Sequence, residues 1–141
     1  HERGGSAGVI HMHGVLDGLL CNGCGFRWAW PFERKLDLDT PCPSCRQGPT
    51  RPDVVWFGEM PYFLDEIETH LSGCDLFVAI GTSGNVYPAA GFVQIADMCG
   101  ADTLEINLES SAVSSAFARQ LRGPASEVVP AWVEDLLSGR A

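Results

Sequence analysis

Basic residues are scarce in this chain, with 9 lysines and arginines against 18 aspartates and glutamates and a formal net charge of -9. Such a surface offers no electrostatic footprint for a nucleic-acid backbone or an anionic membrane, and it favours cationic partners. Long apolar runs are missing as well, and none approaches the roughly 20 residues of a membrane span. No secretory leader, internal repeat or low-complexity tract can be picked out, and no G-x-G-x-x-G nucleotide fingerprint is present. What remains, at 141 residues and 45% hydrophobic content, is enough chain to bury a core as one domain or as a domain with a small appended lobe. A cytoplasmic protein is the expectation.

Cysteine is the residue type with the clearest pattern. Four of the six form Cys21-x2-Cys24, then seventeen residues, then Cys42-x2-Cys45. Zinc prefers four soft ligands in a tetrahedron, and two such knuckles supply four thiolates with little chain rearrangement. Gly23 and Gly25 bend the first knuckle and Pro41 and Pro43 stiffen the second. Two disulfides, a redox C-x-x-C or four unrelated thiols are the competing readings. A closed four-thiolate site leaves no place for substrate, so a zinc here is structural. Cys74 and Cys99 are expected to be small buried hydrophobes.

The polar opening His1-Glu2-Arg3-Gly4-Gly5-Ser6 reads as the middle of something longer. A strand is predicted over residues 9–16, ending in a glycine turn, with His11 and His13 on one face. They could be metal ligands, a base with a neighbour, or polar residues on a half-buried strand, and spacing does not choose among these. Residues 26–38 mix Trp28, Trp30 and Phe32 with Arg27, Arg34, Lys35, Asp37 and, just beyond, Asp39, without helical or strand period, and read as a loop packed on the zinc lobe. Residues 51–61 predict a buried strand followed by a loop.

From Tyr62 the period changes, and Leu64, Ile67 and Leu71 predict a helix of about three turns, stopped by Gly73. A buried strand over 76–80 opens into Gly81, Thr82, Ser83, Gly84 and Asn85, then come a helix over 88–98 and a strand over 103–108. Strand, glycine turn, helix, strand is the pattern of a parallel α/β sheet, in which ligands sit outside the carboxyl ends of the strands. A hydroxyl-bearing turn there can hold phosphate, and a polar side chain after the next strand can bond a ribose hydroxyl. Glycines also close such turns for steric reasons alone, so the turn by itself leaves the nucleotide reading open. Ser111 predicts a helix running to Leu121, and a last amphipathic helix carries Val128, Val129, Trp132, Val133, Leu136 and Leu137.

Several of these stretches together resemble a sirtuin. They are His13-Gly14, the cysteine quartet, Val54-Val55-Trp56-Phe57-Gly58-Glu59, the run from Gly81 through Tyr87 to Gly91, and Ile106-Asn107-Leu108-Glu109, in order and at sirtuin spacing. The resemblance implies an NAD-dependent protein-lysine deacylase. Its fold would be a doubly wound parallel, Rossmann-like domain, here residues 1–16 and 52–141, with a zinc-ribbon lobe at 17–51. His13 then matches the catalytic base, and Cys21, Cys24, Cys42 and Cys45 match the zinc ligands. Gly81, Thr82 and Ser83 match positions around the NAD phosphates, Asn107, Leu108 and Glu109 the adenosine ribose, and Ala125 the adenine. Val55, Trp56, Phe57, Gly58 and Glu59 on one side, and Val86 and Tyr87 on the other, match the edges that clamp an acyl-lysine peptide. Trp56-Phe57 and Tyr87-Pro88-Ala89-Ala90-Gly91 look most like the bacterial and desuccinylating branch, which puts acidic acyl groups among the candidate substrates.

The departure from the family lies at the front. A sirtuin's glycine-rich NAD loop, its Asn-x-Asp segment and the Tyr/Arg pair that selects acyl groups have no counterpart here, so the chain is expected to be a carboxyl-terminal portion, inactive by itself. Two rival readings stand beside this one. A non-catalytic zinc-ribbon interaction module would bind one zinc without NAD. A zinc deaminase would share Pro41-Cys42-Pro43-Ser44-Cys45, but it needs H-x-E and an open metal position, whereas Gly14 follows His13 and four thiolates close the site.

Overall fold

Two antiparallel pairings made from short strands begin the fold. In the computed structural model β1 (Gly14–Cys21) lies between β2 (Arg27–Ala29) and β3 (Thr50–Val54), so both of its edges are paired. Leu19 and Leu20 on β1 are buried and pair with Trp28 and Arg27 on β2. Pro52, which has no N–H for a ladder, sits on the edge strand β3, where one side needs no partner. A polar knot ties these elements together. The nearly buried Asp53 accepts hydrogen bonds from Arg27 Nε and from Tyr62 Oη, and the Arg27 guanidinium lies 4.7 Å from the centre of the Tyr62 ring. The structure describes residues 1–31 and 40–140. Phe32, Arg34, Lys35, Asp37 and Asp39, read above as loop, lie outside the described residues.

The strand expected over 9–16 starts only at Gly14. The residues before it turn, with Met12 N–H bonded to Ile10 O and Gly14 N–H to His11 O. Gly14 itself has φ +83°, and a β-carbon there would collide with Asp53 O, so the chain enters β1 through a bend only glycine fits. The strand expected over 51–61 likewise stops at Val54, and Trp56 and Phe57 are exposed rather than buried.

The chain divides into two compact units, His1–Asp65 and Glu66–Ala141. The second is α/β. After α1 (Leu64–Gly73), strands β4 (Leu76–Ile80), β5 (Asp102–Asn107) and β6 (Arg119–Arg122) pair in parallel in the order β4-β5-β6. Helix α2 (Phe92–Met98), entered through a 3-10 turn over Ala89–Gly91, connects β4 to β5, and α3 (Ala125–Leu137) follows β6. The core here is Leu104 and Ile106 on β5 with Phe92, Val93 and Ala96 on α2 and Phe117. Phe117 stacks on Phe77 with ring centroids 6.2 Å apart.

The helix expected from Ser111 to Leu121 is absent. A 3-10 turn at Ser114–Ala116 and the strand β6 take its place, because pairing with β5, which puts Arg119 opposite Leu104 and Leu121 opposite Ile106, outweighs local preference. Cys74 is half-buried with its Sγ on Leu71 O, but Cys99 is exposed, contrary to expectation. Among the described residues no helix is long and apolar enough to cross a membrane.

Candidate active site and metal centre

The four knuckle sulfurs converge. Cys21, Cys24, Cys42 and Cys45 place their Sγ atoms within 4.8 Å of one another. The Cys21–Cys45 and Cys24–Cys42 separations are both 3.7 Å. A tetrahedral zinc with Zn–S bonds of about 2.3 Å spaces its sulfurs by roughly 3.8 Å, whereas a disulfide needs about 2.05 Å. The cluster therefore fits zinc and excludes paired disulfides. Its surroundings favour thiolates unevenly. The N–H groups of Gln47 and Gly48 draw the Cys45 thiol down to about 6. At Cys42 burial opposes ionisation, but N–H groups of Cys45 and Ser44 and the neighbouring thiols outweigh it and lower the value. At Cys24 the Phe26 N–H favours the thiolate, yet desolvation and the adjacent cysteines push the thiol up to about 11.

In the same unit, His13 is exposed and stands where the 55–62 segment leaves and returns. Val55 N–H donates to His13 O at 2.9 Å, and Tyr62 N–H donates to Met12 O at 2.9 Å. Between these anchors, Glu59 folds the loop on itself, since its Oε2 accepts from Trp56 N–H and from Arg51 Nη2. Arg51 also reaches Asn22 and Val54 O. Phe57 at 98% exposure and Trp56 at 55% are held out as a rigid apolar surface. Of residues 55–59, Val55 is bonded directly to His13, and Trp56, Phe57, Gly58 and Glu59 follow it in the same loop. His11 points elsewhere, its Nε2 2.9 Å from Glu2 Oε1.

In the second unit a cavity of about 370 Å³ opens at the carboxyl ends of β4 and β5. Gly81, Thr82, Ser83, Asn107 and Glu109 line it, together with Asn85, Ser110, Ser111 and Ala112. Its floor is preorganised. Asn107 Nδ2 donates to Thr82 O, Asn107 Oδ1 accepts from Leu108 N–H, and Thr82 Oγ1 accepts from Gly84 N–H. Leu108 and Ala125 are exposed and do not line the cavity, though Ala125 opens α3 directly after β6. Val86 and Tyr87 are exposed on the segment that follows the 81–85 turn.

Sequence reasoning passed over Glu105 and Arg122, whose ion pair at 2.6 Å lies inside the sheet. The signal was there, because a carboxylate between Leu104 and Ile106 in the middle of a buried strand is anomalous unless it is partnered. A larger cavity of about 450 Å³ lies between β5, β6 and α3, lined by Leu104, Leu121, Val128, Ala131 and Trp132 together with the charged Arg119, Glu127 and Asp135. Its exposed surface is mostly apolar, and no glycine-hydroxyl turn faces it.

Residues 1–88 match the model of the Sir2 family. An NAD-dependent protein deacylase of Caulobacter vibrioides is 55% identical over 98% of this chain and 58% of its own length. One from Escherichia coli (strain K12) is 51% identical over 99% of this chain and 50% of its own. A crystal structure of a Sir2 homologue in complex with NAD superposes with a TM-score of 0.89 at 33% identity, covering 100% of this chain and 56% of that one. The chain spans about half the length of the curated relatives it matches.

Proposed function

Because the chain belongs to the Sir2 family, we propose that it supplies the zinc ribbon, the general base and one side of the nucleotide site of an NAD-dependent protein-lysine deacylase. The observation that carries this is the cavity at the carboxyl ends of two parallel strands, where a glycine-hydroxyl turn faces Asn107 and Glu109. In this reading Gly81, Thr82 and Ser83 meet the phosphates, Asn107, Leu108 and Glu109 meet the adenosine ribose, and Ala125 stands by the adenine. NAD, when bound, supplies the ribose that accepts the acyl group as nicotinamide leaves. His13 takes the proton from the attacking ribose hydroxyl, a role that suits an imidazole near neutral pH.

The acyl-lysine peptide adds as an extended segment on main-chain hydrogen bonds, with residues 55–59 and, by the resemblance, Val86 and Tyr87 as the residues that meet it. Acidic acyl groups such as succinyl are included among its substrates. The Rossmann-like domain of residues 1–16 and 52–141, with its lobe at 17–51, belongs to the same reading. So do a cytoplasmic location, acylated proteins as partners, and the absence of nucleic-acid and membrane partners.

The test is to compare His13→Ala with His11→Ala in the intact enzyme that contains this chain. His13→Ala should slow formation of acyl-ADP-ribose by about a hundredfold or more, the usual contribution of a positioned base. His11→Ala should cost far less, and zinc content and thermal midpoint should stay near wild type in both. Equal losses in the two variants, or a nearly active His13→Ala enzyme, would remove His13 from the reaction.

A further inference from the structure

We propose that Glu105 and Arg122 are a positioning pair that fixes the 110–112 wall of the nucleotide cavity and thereby sets affinity for the dinucleotide, an inference that rests on the nucleotide reading above. Glu105 lies mid-strand in β5 with its side chain fully buried, between Leu104 and Ile106. A buried carboxylate persists only where charge and hydrogen bonds meet it. Here Oε2 contacts Arg122 Nη1 at 2.6 Å and accepts from Ser114 Oγ at 2.6 Å.

The guanidinium continues outward from that contact. Arg122 Nη2 donates to Ser114 Oγ at 2.6 Å and to Ser110 Oγ at 3.2 Å. One planar fork thus runs from the interior of the sheet to the segment whose Ser110, Ser111 and Ala112 line the cavity. Residues 108–113 belong to no helix or strand. On the far side Ala112 N–H donates to Ser83 O at 2.9 Å, which ties the same wall to the 81–83 turn. The ladder register puts Arg122 opposite Asn107, at the cavity floor, and Gly123 N–H donates to Asn107 O.

One more detail ties the pair to the wall. Glu105 Oε1 and Ser111 Oγ are both buried, and Ser111 stands beside the carboxylate, close enough to favour its charged form but without a well-formed hydrogen bond to it. Arg122, neutralised by Glu105, acts through the serines and not as a phosphate ligand.

The experiment uses the intact enzyme, with ADP-ribose as the titrated probe, alongside KM for NAD, KM for an acyl-lysine peptide, and thermal midpoint. Arg122→Lys keeps the charge on Glu105 but loses the fork. The double variant Ser110→Ala, Ser114→Ala loses the acceptors and leaves the ion pair intact, which keeps the test open if Arg122→Lys folds poorly. Both should raise the ADP-ribose Kd and the NAD KM by about tenfold, the effect of one lost hydrogen bond to a charged group. The peptide KM should move little in either variant, while the thermal midpoint of the serine variant falls somewhat, because Ser114 Oγ also donates to the buried Glu105. Wild-type ADP-ribose affinity in the folded variants, or a peptide KM that rises as much as that for NAD, would overturn the positioning role. A wild-type enzyme that fails to bind ADP-ribose would instead overturn the nucleotide reading, and the pair's role with it.

Discussion

At Gly48 a β-carbon would collide with Cys21 Sγ, while the residue's own N–H points at Cys45 Sγ from 3.4 Å. Gly48→Ala should therefore lower zinc content as surely as Cys42→Ala does, read by elemental analysis, whereas Gly73→Ala, with open space around it, should keep one zinc per chain. Metal binding should also move protons in a predictable sense. Cys45, at about 6, is already ionised at pH 7, but Cys24, at about 11, is not, so zinc must displace its proton. Adding zinc to the metal-free chain in weak buffer should acidify the solution, and lowering the pH should release the metal again. The four ligands were legible in the sequence because each knuckle is local. The need for glycine at 48 was not, since it arises from a sulfur 27 positions earlier in the chain. His11 and His13, equals by spacing, are told apart in the sequence only by the resemblance.

Strands and loops show the same division between local and distant causes. Helices α1, α2 and α3 and strands β4 and β5 follow the apolar periods of their own residues. Strand β6, of sequence Arg119-Gln120-Leu121-Arg122, has no strand signature of its own, and only its ladder to β5 makes it one. That ladder carries a buried charge, and its removal can be measured. Arg122→Ala leaves Glu105 unpaired inside the sheet and should cost about 3 kcal/mol, the lower end for a broken buried pair, because Arg122 is one-third exposed. Burial opposes ionisation of Glu105, but Ser111, Ser114 and Arg122 outweigh it and hold its carboxyl below the ordinary glutamate value. The pair's stabilisation is thus whole above that ordinary value and is lost as pH falls through the lower folded one. Acid titration of unfolding in wild type and Glu105→Gln should show this component vanish in the variant. At the 55–59 loop, Arg51→Ala removes the cation that orients Glu59. Faster amide exchange at Trp56, with β1 amides unchanged, is the expected result.

At the scale of the molecule, the two units have separate cores and only one contains the cysteine cluster. A chelator should strip protection from the amides of β1, β2 and β3 while those of β4, β5 and β6 keep theirs, as hydrogen exchange can read. In the proposed function residues 1–141 alone bind NAD weakly and deacylate nothing, and micromolar NAD affinity by calorimetry would contradict that. One feature of the sheet reaches beyond catalysis. Among the described residues β4 is hydrogen-bonded on the β5 side only, and its sequence Leu76-Phe77-Val78-Ala79-Ile80 has neither charge nor proline to discourage a partner. An open, apolar edge of this kind is a template for chains of its own sort. Concentrated solutions of these 141 residues should scatter light progressively and gain intermolecular β-structure, and Val78→Lys should slow that growth. The handling of this chain in the laboratory, from expression yield to shelf life, is then governed by five residues that take no part in its chemistry.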